Sequence, residues 1–136
     1  MATTTTAARC AAAALLLAVA LPAQALDEWT WQDTSWEAAS LGALVLDWGT
    51  TRDAAWENAH VRREGFYSLH AEGNPVLGRY PSTKSVDLYF ASSIVTHAAV
   101  AALLPQGWRR AWQASTVGLE VLVLRGNFRA GLSVRF

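Results

Sequence analysis

Val86–Leu104 reads VDLYFASSIVTHAAVAALL, nineteen residues that are apolar almost throughout apart from Asp87 and His97. About twenty apolar residues in a helix reach across the hydrocarbon layer of a bilayer. The run therefore comes close to a transmembrane span, and its long apolar stretches do not alternate as a barrel strand would. Ser82 is placed to cap its start, and Pro105-Gln106-Gly107 stops it. The pattern predicts a helix over about 82–104.

Upstream lies EGNPVLGRYPS, Glu72–Ser82. Asn74 precedes a proline and is pushed to extended backbone. Gly73 and Gly78 permit angles that other residues avoid. Pro81 ends the segment one residue before the cap. The stretch predicts a stiff loop that returns the chain into the central helix, with Glu72 and Asn74 free to meet polar residues of the preceding element. That element begins at Thr34-Ser35-Trp36-Glu37, a T-x-x-E capping box, and continues with apolar residues at helical spacing to about Asn58. Downstream, a third helix is expected from Trp108 to Arg125, with Gly126-Asn127 as its stop. The closing FRAGLSVRF alternates apolar and polar residues and ends in an aromatic. It resembles the last strand of an outer-membrane barrel, but a barrel needs at least eight such strands of roughly ten residues. A short strand or an extended arm along the bundle fits better. The expectation is an all-α three-helix bundle, with helices at about 35–58, 82–104 and 108–125.

The chain opens MATTTTAARCAAAALLLAVALPAQA. Arg9 precedes an apolar run, and Ala23-Gln24-Ala25 offers an A-x-A cleavage site. This is the pattern of a secretory signal over residues 1–25, leaving 26–136 as one helical domain. Cys10 would leave with it, so the remaining chain has no thiol and no disulfide. Loss of Arg9 leaves ten Lys and Arg against eleven Asp and Glu. No basic excess speaks for nucleic acid.

Seven tryptophans are many for 136 residues. Trp29, Trp31 and Trp36 lead into the first apolar run, and Trp108 and Trp112 begin the last. Indoles suit a membrane interface, and they equally fill a small core. Both readings stand at this level. The segment from Arg52 to Lys84 and the tail are richer in basic residues than the Pro105–Arg110 turn. With the amino terminus outside, the positive-inside rule is satisfied.

Each apolar helix carries an ionisable residue near its middle: Asp47, His97 and Glu120. Asp47 and Thr51 share a helical face. If the three helices pack, two acids and an imidazole can meet, a workable set for a divalent metal or for proton transfer. No H-E-x-x-H or C-x-x-C spacing accompanies them. The plainer expectation is a buried hydrogen-bond network of Asp47, Thr51, Arg52, Glu72, Asn74, His97 and Glu120, in which His97 or Arg52 pairs a buried carboxylate. His60 and His70 are expected in solvent.

DWGTTR at Asp47–Arg52, EGNPVLG at Glu72–Gly78, Tyr89-Phe90 and His97 together resemble a group of small uncharacterised bacterial envelope proteins. Those proteins pair an Asp-x-x-x-Thr helix with an E-x-N-P-x-L-G loop. The likeness runs from about Asp47 to Asn127. It implies a helical membrane or envelope protein and brings no activity with it. Asp47, Thr51, Glu72, Asn74, Pro75 and Gly78 are the matching positions.

No nucleophile elbow, phosphate loop or strong metal motif is present. The functional expectation is a non-enzymatic accessory or scaffold subunit of a Gram-negative envelope. Its expected partners are the membrane and another membrane or envelope protein, and no cofactor is expected. The inner membrane comes first, the soluble periplasm second, the outer membrane third. The alternatives are a metal- or proton-dependent enzyme on Asp47, His97 and Glu120, and a small outer-membrane barrel.

Overall fold

A computed structural model describes residues 27–65 and 70–136 of the chain. The signal-like segment 1–25 lies outside them. Three helices are present: α1 (Trp31–Arg63), α2 (Thr83–Leu103) and α3 (Gln106–Arg129).

α1 begins one turn before the T-x-x-E box. Thr30 is the cap: its Oγ1 accepts the Asp33 N–H at 3.2 Å, and Asp33 Oδ2 accepts the Thr30 N–H at 2.9 Å and its hydroxyl at 2.6 Å. Thr34 and Glu37 are thereby released from capping. Glu37 instead turns inward, where it is 8% exposed. The helix also outruns its expected end at Asn58, because nothing in Ala59–Arg63 breaks it; Gly65, at φ +85°, follows its C-terminus.

α2 matches its expected bounds to within a residue, and Ser82 Oγ accepts the Ser85 N–H at its start. α3 is longer than expected at both ends. Pro105 has no side chain to offer as a cap, and the Asp27 carboxylate supplies one by accepting the Gln106 N–H at 2.8 Å. At the far end the helix passes through Gly126-Asn127, because the Asn127 amide is spent on α1, and Gly131 at φ +85° marks the stop.

α1 and α3 run parallel, with Asp33 beside Arg109 at one end and Thr50 beside Asn127 at the other. α2 runs antiparallel to them, since Asp87 meets Trp48 while His97 meets Glu37. α1 is the common partner, and α2 and α3 touch each other least. A small apolar cluster of Ala55, Val86 and Phe90 joins α1 to α2, with Trp48 stacked on Phe90 at 6.4 Å.

Ala43, Leu44, Ala101, Leu124 and Leu132 are buried as well, but most of the other buried side chains are polar. Asp33, Glu37, Ser40, Asp47 and Thr51 of α1 are buried, as are His97 of α2 and Arg109 and Gln113 of α3. Leu88, Val95, Trp108, Leu119 and Leu122 face outward, each more than 60% exposed. The spacings 33, 37, 40, 44, 47, 51 on α1 and 109, 113, 116, 120, 124, 127 on α3 each hold one helical face. The two faces meet as a polar seam. Among the described residues α2 alone is long and apolar enough to cross a membrane, and little of it is buried.

The tail is an arm, and the described residues contain no strand. The barrel alternative is corrected accordingly: residues 27–65 and 70–136 offer no alternating strands from which to close one. The Arg135 N–H donates to Gly49 O at 3.2 Å. A Cβ on Gly49 would stand 2.5 Å from Val134 Cγ1, so only glycine admits this approach. Phe136 packs edge-on to Trp48, while Asp53 accepts the Ser133 N–H, the Ser133 hydroxyl and Arg135 Nε–H.

Candidate functional site: an acidic cleft at one end of the polar seam

The seam has three levels. At the lowest, Arg109 is 1% exposed and donates through Nε to Ala101 O, through Nη1 to Asp33 and through Nη2 to Asp27 O. Its guanidinium also lies over the Trp29 ring at 4.7 Å. Asp33 sits at the head of α1, before the apolar stretch begins. Burial opposes its ionisation, but the hydrogen bonds from Thr30 and Arg110, with the charge of Arg109, outweigh burial and lower its carboxyl from 3.8 to about 2.

At the middle level Gln113 Nε2 donates to Glu37 Oε2 at 2.9 Å and to Asp33 O. Ser40 Oγ donates to Gln113 O. His97 Nε2 stands 3.4 Å from Glu37 Oε2, its Nδ1 is 3.3 Å from Thr116 Oγ1, and Trp112 stacks on its ring at 5.3 Å.

At the upper level Asp47 Oδ1 accepts the Thr51 hydroxyl at 3.3 Å and the Asn127 amide at 2.9 Å. Glu120 of α3 joins Asp47 at this level. Both line a cleft of about 470 Å³, with Thr51, Asn127, Glu72 and Asn74 around its mouth.

The loop is held in shape by the same residues that edge this cleft. Glu72 Oε1 accepts the Asn74 N–H, Asn74 Oδ1 accepts the Val76 N–H, and the Glu72 N–H donates to Arg79 O. Asn58 brackets His70, donating to its carbonyl and accepting its N–H, and His70 Nε2 lies 2.9 Å from Glu57 Oε2. His70 is therefore a paired, half-buried residue, contrary to the expectation of a solvated one. His60 stacks on Trp56 at 4.9 Å.

Asp47, Thr51, Glu72, Asn74 and Glu120 thus border one cavity. Arg52 belongs elsewhere, donating to Asp87 at 2.9 Å beside the Trp48 indole. His97 also stands apart, on Glu37 one level below, and among the described residues no three of His, Cys, Asp and Glu come together as a metal-ligand set. Sequence reasoning missed Asp33, Glu37, Asp53, Arg109, Gln113 and Asn127. The signal for four of them was present as three- and four-residue spacing of polar side chains on the first and third helices. Asp53 and Asp33 are explained by partners more than seventy residues away.

Comparison with family models, with curated proteins and with solved structures returned no match. Fold and site together define the class: a small all-α bundle with a polar seam through its interior, large apolar side chains on its surface and, among the described residues, one membrane-capable helix.

Proposed function

We propose that the chain is a membrane-embedded three-helix subunit of the bacterial envelope, serving a larger assembly as a non-enzymatic accessory or scaffold. The observation that carries this reading is the distribution of polarity: acids and amides make up much of the interior while many large apolar side chains face outward. In water, buried acids and amides with leucines outside is the costly arrangement. In a bilayer it is the favoured one, because polar groups must find partners inside the bundle.

Two further features support it. Trp29, Trp31, Trp36, Trp108 and Trp112 gather at the end where α1 and α3 begin, as an interfacial belt would. Among the described residues, Arg62 and Arg63 at the end of α1, Arg79 and Lys84, the arginines at the end of α3 and Arg135 lie toward the opposite end, against Arg109 and Arg110 near the belt. The likeness of the Asp47–Thr51 and Glu72–Gly78 motifs to small envelope proteins points the same way. The position of His97 on Glu37, rather than on the Asp47–Glu120 pair, favours a structural polar network over a three-residue catalytic centre.

Alkaline-carbonate extraction of membranes from cells expressing the full chain tests the proposal. The expected result is retention in the membrane pellet. Complete release to the supernatant overturns it and returns the chain to the soluble periplasm.

A further inference from the structure

We infer that the polar seam is a proton path along the bundle, an inference that rests on the membrane reading above. Its first ground is unmet hydrogen bonding. Glu37 Oε1, Gln113 Oε1 and Glu120 Oε2 are buried without a hydrogen-bond partner, and His97 Nε2 has only its 3.4 Å contact with Glu37 Oε2. Glu37, His97 and Gln113 are 8%, 4% and 0% exposed. A network serving only to lock helices satisfies its buried atoms, since an unsatisfied buried group keeps the full penalty of its desolvation. Here the open valences lie on titratable groups and on an amide beside them.

The second ground is order along the axis. His97 presents one ring nitrogen to Glu37 at 3.4 Å and the other to Thr116 at 3.3 Å. Thr116 and Glu120 are one turn apart on α3, and both border a groove of about 450 Å³ that His97 also lines. Glu120 and Asp47 both reach the cleft edged by Glu72. Glu120 lines both cavities. Each is many times the roughly 30 Å³ share of one water and has polar groups to hold it. Glu72, the Asp47–Glu120 pair, His97 and Glu37 therefore form a series of proton-accepting groups with water-sized spaces between them.

The transfer balances without any co-reactant. The Asp47–Glu120 pair takes a proton from water in the cleft and passes one through groove water and the Thr116 hydroxyl to His97 Nδ1. His97 releases the proton on Nε2 to Glu37, whose side chain keeps 11% exposure through which to lose it. Each group then returns to its starting state, His97 by exchanging tautomers. Asp33, Arg109 and Arg110 close the Glu37 end with an ion pair whose cations oppose the passage of metal ions.

The test uses the purified full chain in liposomes loaded with the pH dye pyranine, with a potassium gradient and valinomycin to drive proton entry. Flotation of the vesicles first establishes insertion. The expected result is acidification faster than in protein-free vesicles, lost in E120Q and H97Q and reduced in T116V, with all three variants floating and retaining the helical circular-dichroism spectrum. T116V removes no titratable group and preserves side-chain shape, so its slowing separates conduction from folding. Insertion with acidification no faster than in empty vesicles overturns the proton path and leaves the membrane reading standing. Equal acidification in the wild type and all three variants likewise overturns it. Failure to float overturns both.

Discussion

Asp33 does two jobs with one carboxylate, capping α1 through Thr30 and receiving Arg109 and Arg110 from α3. Its carboxyl lies lower in the folded protein, at about 2, than the ordinary 3.8. The stabilisation it supplies is fully present above pH 3.8 and is lost as pH falls toward 2. Thermal melts in detergent at pH 5, 3 and 2 should therefore show a loss that D33N does not share. Arg109 is the converse case. R109M leaves Asp33 with Thr30 and Arg110 but without the buried cation of its ion pair, and breaking a buried pair typically costs about 3–5 kcal/mol. Chemical unfolding should show that loss, and the double variant R109M/D33N should recover a large part of it. Neither residue stands out in the sequence. Asp33 reads as one polar residue among several, and its importance comes from an arginine 76 positions later. Asp47, Thr51, Glu72, Asn74 and Glu120 were legible because helical spacing, the loop and the motif likeness pointed to them. His97 was assigned to the same network by its place in the middle of its helix and Arg52 as a possible partner for a buried carboxylate, and rotation about the helix axis sent them to Glu37 and Asp87.

At the scale of elements, the sequence carried the middles of the helices better than their ends. α2 begins and stops on local chemistry, a serine and a proline, and local reading placed both. α1 also starts on local chemistry, the Thr30–Asp33 box one turn before the T-x-x-E box. α3, by contrast, is set by tertiary partners: Asp27 caps its start, and Asn127 is drawn to α1 rather than capping its own helix. The tail's alternating pattern is real but serves a latch on α1. Gly49 is the seat of that latch. G49A should improve the helix by about 1 kcal/mol in intrinsic propensity. Yet its methyl would meet Val134, whose β-branched side chain has few ways to yield. The expected outcome is a released arm with an intact bundle. Carboxypeptidase should remove residues from Ser133 onward in G49A and leave them in the wild type, with helical circular dichroism unchanged.

For the whole molecule, the helix directions put both the start of α1 and the α2–α3 turn at the tryptophan-rich end. The loop and the tail share the arginine-rich end. With basic residues held on the cytoplasmic side, green fluorescent protein fused after Phe136 should fluoresce, whereas alkaline phosphatase inserted at Gln106–Gly107 should be active. The reverse pattern contradicts the proposed orientation. The distribution of polarity also reverses the usual map of mutational tolerance. In a water-soluble fold, surface positions accept charge freely and interior ones accept only greasy replacements. Here Val95, Leu119 and Leu122 should drift among aliphatic residues and refuse lysine, while Glu37, Ser40 and Gln113 should refuse leucine. Over generations such a chain would keep a nearly constant interior beneath an exterior whose spelling changes freely within one greasy alphabet.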